Sequence, residues 1–233
     1  MVNYHDHLQL QISKLPKRGP ARTKEHVKAA AARMLETDSY YNIRIDALCN
    51  EAGVAKGTFY LHFQDKEELT VHILEEYTTI QVQLIPDLHH VADSYEALKT
   101  INTWFARSFV ENIGLHRNLM QLSEKIPAIT EIWTTFLSTV SDMYIRDIFQ
   151  RVGSVISYDQ ALLAIYSLGG MLDQALYAIH AVHRNPSFER LAASLENLVE
   201  TVTVLQHRAI YMQDPRLEQL DFARDLLKLK AVR

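Results

Sequence analysis

The stretch KGTFYLHFQDK, Lys56 to Lys66, groups two cations, a threonine, a tyrosine and a histidine around a glycine. On a helix, Lys56, Gly57, Tyr60 and Leu61 share one face at spacings of three and four, while Val54, Phe59 and Phe63 turn the other way. A cation, a hydroxyl-bearing ring and a residue without a side chain suit close approach to a groove wall. Thr58 and His62, four apart, flank that face and can donate to phosphate oxygens. Lys66 falls in the first turn of a following helix, where free backbone N–H groups favour an anion. This is the chemistry of holding a polyanionic duplex.

Turnover chemistry has less support. The chain carries no HExxH, GxSxG or phosphate-loop pattern. Two alternatives to a DNA-binding protein stay open: an all-α enzyme acting on a hydrophobic substrate, and a helical interaction module without DNA binding. Cys49 lies on the apolar side of a helix and reads as a small hydrophobe. His180, His183 and His207 have no carboxylate or thiolate cluster beside them, so neither a metal nor a cofactor is expected.

Helices must position these residues. Thr23 is placed to cap a helix in which Val27, Ala30, Ala31, Met34 and Leu35 share a face, running to about Thr37. A second apolar face through Ile43, Ile45, Leu48 and Cys49 ends at Ala52-Gly53, where glycine can close the helix in the left-handed conformation. A third short helix runs to about Phe63. Asp65 to Glu68 then forms a capping box for a fourth, which Pro86 stops. Two short helices joined by a glycine turn are the helix-turn-helix arrangement. Further amphipathic runs cover Asp93 to Asn112, Arg117 to Leu122, Thr130 to Gln150, Tyr158 to His183 and Pro186 to Met212.

With 233 residues, of which 48% are hydrophobic and few are Gly or Pro, the chain is expected to be all-α with a substantial core. A single cysteine and no continuous signal-length apolar stretch at the N-terminus point to a cytoplasmic chain without a membrane partner. The net charge of −4 is unevenly distributed, with +3 on residues 1–66 and −7 on the rest. LPKRGPAR, Leu15 to Arg22, reads as part of a flexible basic arm over residues 1–22, which can order against DNA.

Arg44 to Leu69, RIDALCNEAGVAKGTFYLHFQDKEEL, resembles the DNA-binding signature of the tetracycline-repressor (TetR) family. The shared features are Ala52-Gly53-Val54, Gly57-Thr58, Tyr60, His62-Phe63 and Lys66 to Leu69. The resemblance implies a helix-turn-helix domain over residues 23–69 and a ligand-binding and dimerisation domain over 70–233. It also implies a homodimer, paired through the last two long helices, that binds palindromic double-stranded DNA as a repressor released by a small, largely apolar effector. By position, Lys56, Gly57, Tyr60 and Leu61 would face bases or the groove, and Thr58, Tyr60, His62 and Lys66 would hold phosphates. Arg44 and Ala55 replace the usual capping residues, and Arg44 is a further candidate for a phosphate.

The same resemblance makes a ligand cavity the sharper reading of the large side chains that follow. The candidate lining is Trp104, Phe105, Phe109, Met120, Trp133, Phe136, Tyr166 and Tyr177, with Asn112, Gln121, Asp173 and Gln174 as orienting polar groups. Gly169-Gly170, inside a strong helical pattern, costs about 2 kcal/mol relative to two alanines and so marks a close helix approach or a kink.

Overall fold

The computed structural model describes residues 3–181, 190 and 194–229, and among them the regular structure is entirely helical. The chain forms two compact units, Met1–Leu84 with Glu111–Leu137, and Ile85–Val110 with Ser138–Arg233. Two helices, α6 (Ser94–Glu111) and α8 (Pro127–Val152), run across the boundaries between these segments.

The first unit begins with α1 (Tyr4–Lys14), where a flexible arm is expected. Tyr4, Leu8 and Ile12 recur at intervals of four, and all three are buried against the core. Asn3 caps α1, and the Tyr4 ring meets Tyr77 edge-on at 6.1 Å. The arm is therefore a packed element, because its apolar spacing outweighs the polar residues between.

The second helix, α2 (Pro20–Thr37), starts before the anticipated Thr23 cap: Pro20 occupies its first turn and Gly19, at φ 136°, precedes it. Thr23 instead returns its hydroxyl to the Gly19 carbonyl. A 3-10 turn, Tyr40–Asn42, leads to α3 (Ile45–Ala52). Gly53 closes α3 in the left-handed conformation at φ 67°, as its position suggests. Next come α4 (Lys56–Tyr60) and α5 (Lys66–Gln83), whose Asp65 cap accepts from the Glu68 amide at 2.8 Å.

The same unit contains α7 (Ile113–Ser123), packed tightly on the end of α2. A Cβ at Gly114 would lie 2.5 Å from the Leu35 carbonyl oxygen and 2.8 Å from the Glu36 carbonyl carbon. Asn118 donates to the Leu35 carbonyl at 3.0 Å and accepts from the Tyr40 amide at 3.0 Å. Arg117 donates to the Leu35 and Asp38 carbonyls. The unfilled carbonyls at the C-terminus of α2 thus find donors on α7.

The second unit comprises most of α6, the later part of α8, α9 (Tyr158–Leu176) and α10 (Leu195–Tyr211). Asn102, fully buried, donates to Thr203 at 2.8 Å and Gln206 at 2.7 Å and accepts from the Tyr144 hydroxyl at 2.8 Å. Gln206 passes the network to the Leu168 carbonyl. A buried carboxylate, Glu200, accepts the amides of Asp221, Phe222 and Ala223, and Arg208 donates to the Leu226 and Leu229 carbonyls. Those bonds hold the tail segment 217–229 on α10.

Gly169 and Gly170 stay helical, and a Cβ on either would meet nothing within 4 Å, so the close approach expected of them is not made within the described chain. The helical irregularity comes later, as a π turn over Tyr177–Ala181. His183 and the beginning of the run from Pro186 lie outside the described residues.

Candidate nucleic-acid interface

Only one turn long, α4 owes its position to Phe59, which is fully buried, and to Phe63, whose ring centre lies 6.0 Å away. Val54 packs partly against the same core. With these residues inside, Lys56, Gly57, Tyr60 and Leu61 face outward together. Leu61 is 81% exposed and Tyr60 49%, although burying either would stabilise a free-standing fold. Gly57 has nothing within 4 Å of where a side chain would begin, so backbone there is open to close approach. Thr58 and His62 flank this face, half-buried, and Arg44 is exposed at the start of α3. Neither Arg44 nor Ala55 supplies a side-chain cap bond to the helix it precedes.

Lys56 reaches Asp46 on α3 at 2.8 Å, and that bond, with the attraction of the carboxylate, raises the lysine's pKa above its ordinary value. Both side chains are exposed, so the pair orients the ammonium without contributing much stability. Asp46 had no signature in the sequence beyond its charge. The pair ties the cation of α4 to α3.

Lys66 departs from its expected role. Its ammonium donates to the carbonyls of Tyr40 at 2.9 Å and Ile43 at 3.0 Å and sits 4.3 Å from the Tyr40 ring centre. Burial lowers its pKa. The lysine turns inward because the Ile43 carbonyl, the second lone pair of the Tyr40 carbonyl (which already accepts the Ile43 amide at 3.2 Å) and an aromatic face lie together there. It is a structural cross-tie between α5 and that turn.

The twelve residues proposed to line a ligand cavity are divided between the units. Asn112, Met120, Gln121, Trp133 and Phe136 belong to the first, and the other seven to the second. Asn112 has a structural task, accepting the Tyr4 amide at 2.7 Å. Trp133 and Phe136 stack at 5.9 Å, with His116 edge-on to Trp133 at 5.5 Å. Trp104, Phe105 and Phe109 are buried on α6, and the Trp104 indole N–H has no partner among the described residues. Asp173 and Tyr177 are half-buried, whereas Tyr166, Gln174 and Gln121 are exposed. A groove of about 300 Å³ beside Pro86, His89 and Arg146 includes none of the twelve, and a shallow depression on α9 includes only Tyr166. Among the described residues no cluster of three His, Cys, Asp or Glu could hold a metal.

The model for bacterial regulatory proteins of the tetR family matches residues 28–73, which run from α2 into α5 and include the whole of α3 and α4. An HTH-type transcriptional regulator of Staphylococcus aureus is 21% identical over 178 residues, 75% of this chain and 91% of that protein. The HTH-type transcriptional regulator EthR of Mycobacterium tuberculosis is 26% identical over 117 residues, 48% of this chain and 53% of EthR. Among solved structures, the fatty acid degradation regulator FadR from Bacillus halodurans superposes with a TM-score of 0.63 at 21% identity, covering 82% of this chain and 96% of FadR. Residues 28–73 thus match the model of the tetR family of bacterial regulatory proteins, and the chain is similar in sequence to HTH-type transcriptional regulators and in its all-helical fold to FadR.

Proposed function

We propose that the protein is a homodimeric repressor whose two heads dock α4 into successive major grooves of a palindromic operator, and which a small, largely apolar molecule releases. The observation that carries the DNA-docking part is the outward set of Lys56, Gly57, Tyr60 and Leu61, an exposed face that no internal packing needs. A two-fold dimer presents such faces to half-sites about 34 to 36 Å apart. A cytoplasmic location accords with that role.

Support for the dimer comes from α9. The segment Tyr158–Ala181 is long and apolar enough to cross a membrane by composition, yet only 22% of its apolar window is buried within the chain. Leu163 is 72% exposed, with Tyr158, Tyr166 and Met171 also exposed and Gly169-Gly170 open beside them. Asp159 and Asp173 on the same helix argue against a lipid surroundings. A second copy of the chain covers such a face in water, and small residues let two helices cross closely. Val202 on α10, by contrast, is already buried in its own chain.

Release needs an element joining effector and head. Two elements can serve: α5, which starts at the head, and α7, which grips the head through Gly114, Arg117 and Asn118 on the end of α2. An effector that favours a different placement of α7 or α5 weakens DNA binding by its differential affinity alone. The apolar character of the effector draws on the aromatic content of α6 and on the fatty acid degradation named for FadR. The test is anisotropy on a duplex selected by the protein from random sequence, with a long-chain fatty acid as first probe. Release should amount to about 5- to 150-fold in affinity, and operator should lower probe affinity equally. No duplex selected above background would remove the DNA-binding reading; equal probe affinity with and without operator would remove that probe as effector.

A further inference from the structure

The residues joining α1 to α2 lie outside the matched segment 28–73 and have no part in the α4 face. Between Lys14 and Lys24 the chain carries Lys14, Lys17, Arg18, Arg22 and Lys24 and no acidic residue. Lys14, Lys17 and Arg18 are exposed, and none forms an ion pair among the described residues. A cluster of unpaired like charges is self-repelling, so a fold that holds one rigid has retained a cost that an anionic partner relieves.

This cluster is held rigid. Arg22 turns back and donates to the Ile12 carbonyl at 2.6 Å and the Leu15 carbonyl at 3.2 Å, fastening the turn to the end of α1. The buried Tyr4, Leu8 and Ile12 fasten α1 to the core. The turn also lies close to the reading segment. Lys24, in the second turn of α2, places its ammonium 5.4 Å from the ring centre of Phe63, the residue after His62. From Lys24 back to Gly19 is five helical steps, about 7.5 Å, so the turn carrying Lys17 and Arg18 leads directly into the helix whose second turn meets Phe63. The nearby carboxylates do not compete. Glu25 and Glu76 both pair with the buried Lys28, and Lys24 lines the same groove, leaving two cations against two anions there.

We infer that this turn is a second duplex-contact segment, in which Lys14, Lys17 and Arg18 neutralise phosphates flanking the bases that α4 faces. The inference rests on the DNA-docking reading above. These contacts fall on phosphates outside the bases that α4 faces. They are sequence-independent, since a phosphate carries no base identity.

The experiment is fluorescence anisotropy on a long mixed-sequence duplex between about 50 and 200 mM salt, where each neutralised phosphate contributes about 0.9 to the logarithmic salt slope. Lys17→Ala with Arg18→Ala should reduce the slope by about 1.8 per docked head, about 3.6 for a dimer with both heads docked, with the urea midpoint unchanged. Lys17→Arg with Arg18→Lys should retain the slope, because charge and not shape is required. An unchanged slope in the alanine variant, while the unmodified protein binds, overturns this inference and leaves the DNA-docking reading standing. No binding by the unmodified protein at any of these salt concentrations overturns both.

Discussion

The amide of Gly114 donates to a carboxylate oxygen of Glu36 at 2.9 Å, and the glycine lies so close to the end of α2 that no side chain fits between them. The atoms in the way belong to the backbone of Leu35 and Glu36, which cannot swing aside as a side chain could. Gly114→Ala must push α7 off α2 and strain the Asn118 bonds to Leu35 and Tyr40. The expected loss is about 2 to 3 kcal/mol, at the upper end for overpacking a tight contact. Urea unfolding measures it, and a loss below about 0.5 kcal/mol would show that the two helices separate easily.

Lys66→Met keeps the stem but takes the donor from the Ile43 carbonyl and the second of two donors from the Tyr40 carbonyl. Stability should fall by about 1 to 3 kcal/mol while the salt slope of duplex binding stays unchanged. The contrary pattern, unchanged stability with a slope reduced by about 0.9 per docked head, would return Lys66 to the phosphates.

Lys56→Ala should do the opposite. Its bond to Asp46 is exposed on both sides, so unfolding free energy should move by no more than about 0.5 kcal/mol. Base preference should change, read as a different consensus in duplexes selected from random sequence. The same consensus at uniformly lower affinity would make Lys56 a phosphate contact instead.

Leu163→Arg places a charge in the middle of the exposed apolar face of α9. Sedimentation at micromolar concentration should show dimers for the unmodified protein and monomers for the variant, with helical content retained. A dimeric variant would move the subunit contact elsewhere on the chain.

His207 predicts a pH dependence. Burial holds its imidazole below the ordinary value, partly opposed by the bond to the Gln213 carbonyl and by Asp93 and Asp214; Tyr95 and Tyr211 lie against the ring. Nδ1 lies 3.1 Å from that carbonyl and Nε2 lies 3.0 Å from the Ser94 hydroxyl, so the neutral ring satisfies both by donating at one nitrogen and accepting at the other. The unfolded chain takes up its proton near pH 6.5, before the folded chain does. The stability His207 contributes is therefore complete above about pH 6.5 and is lost as pH falls through the lower folded value. His207→Gln should reduce the fall in melting midpoint between neutral pH and mildly acidic pH. His72 is shifted the same way, so a residual slope remains. An equal fall in both proteins would show that this ring titrates no differently when folded.

The helix-turn-helix segment was legible because its signals are local. Gly53 needs only its own backbone conformation, and the alternation of Phe59 and Phe63 with Tyr60 and Leu61 sorts inside from outside. What the sequence concealed depends on partners far along the chain. Lys66 at the start of a helix is as good a phosphate ligand as a structural donor until Tyr40 and Ile43 are placed beside it. Asn112 among aromatic residues suggests a ligand, and only the fold brings the Tyr4 amide to it from 108 residues away. The helix Tyr4–Lys14 did leave a signal, the four-residue spacing of Tyr4, Leu8 and Ile12, but the prolines and basic residues after it gave the region the look of an arm.

The Glu200 carboxylate has a consequence for the order in which the protein is made. Its three amide donors come from residues 221–223, so α10 leaves the ribosome with a buried-to-be anion whose partners are translated later. The head has a milder form of the same delay, since the donors that satisfy the end of α2 sit on α7, some eighty residues downstream. Both units therefore gain some of their internal hydrogen-bond donors only after later residues have been made. In the dimeric reading proposed above, pairing of subunits would follow rather than precede the arrival of these donors.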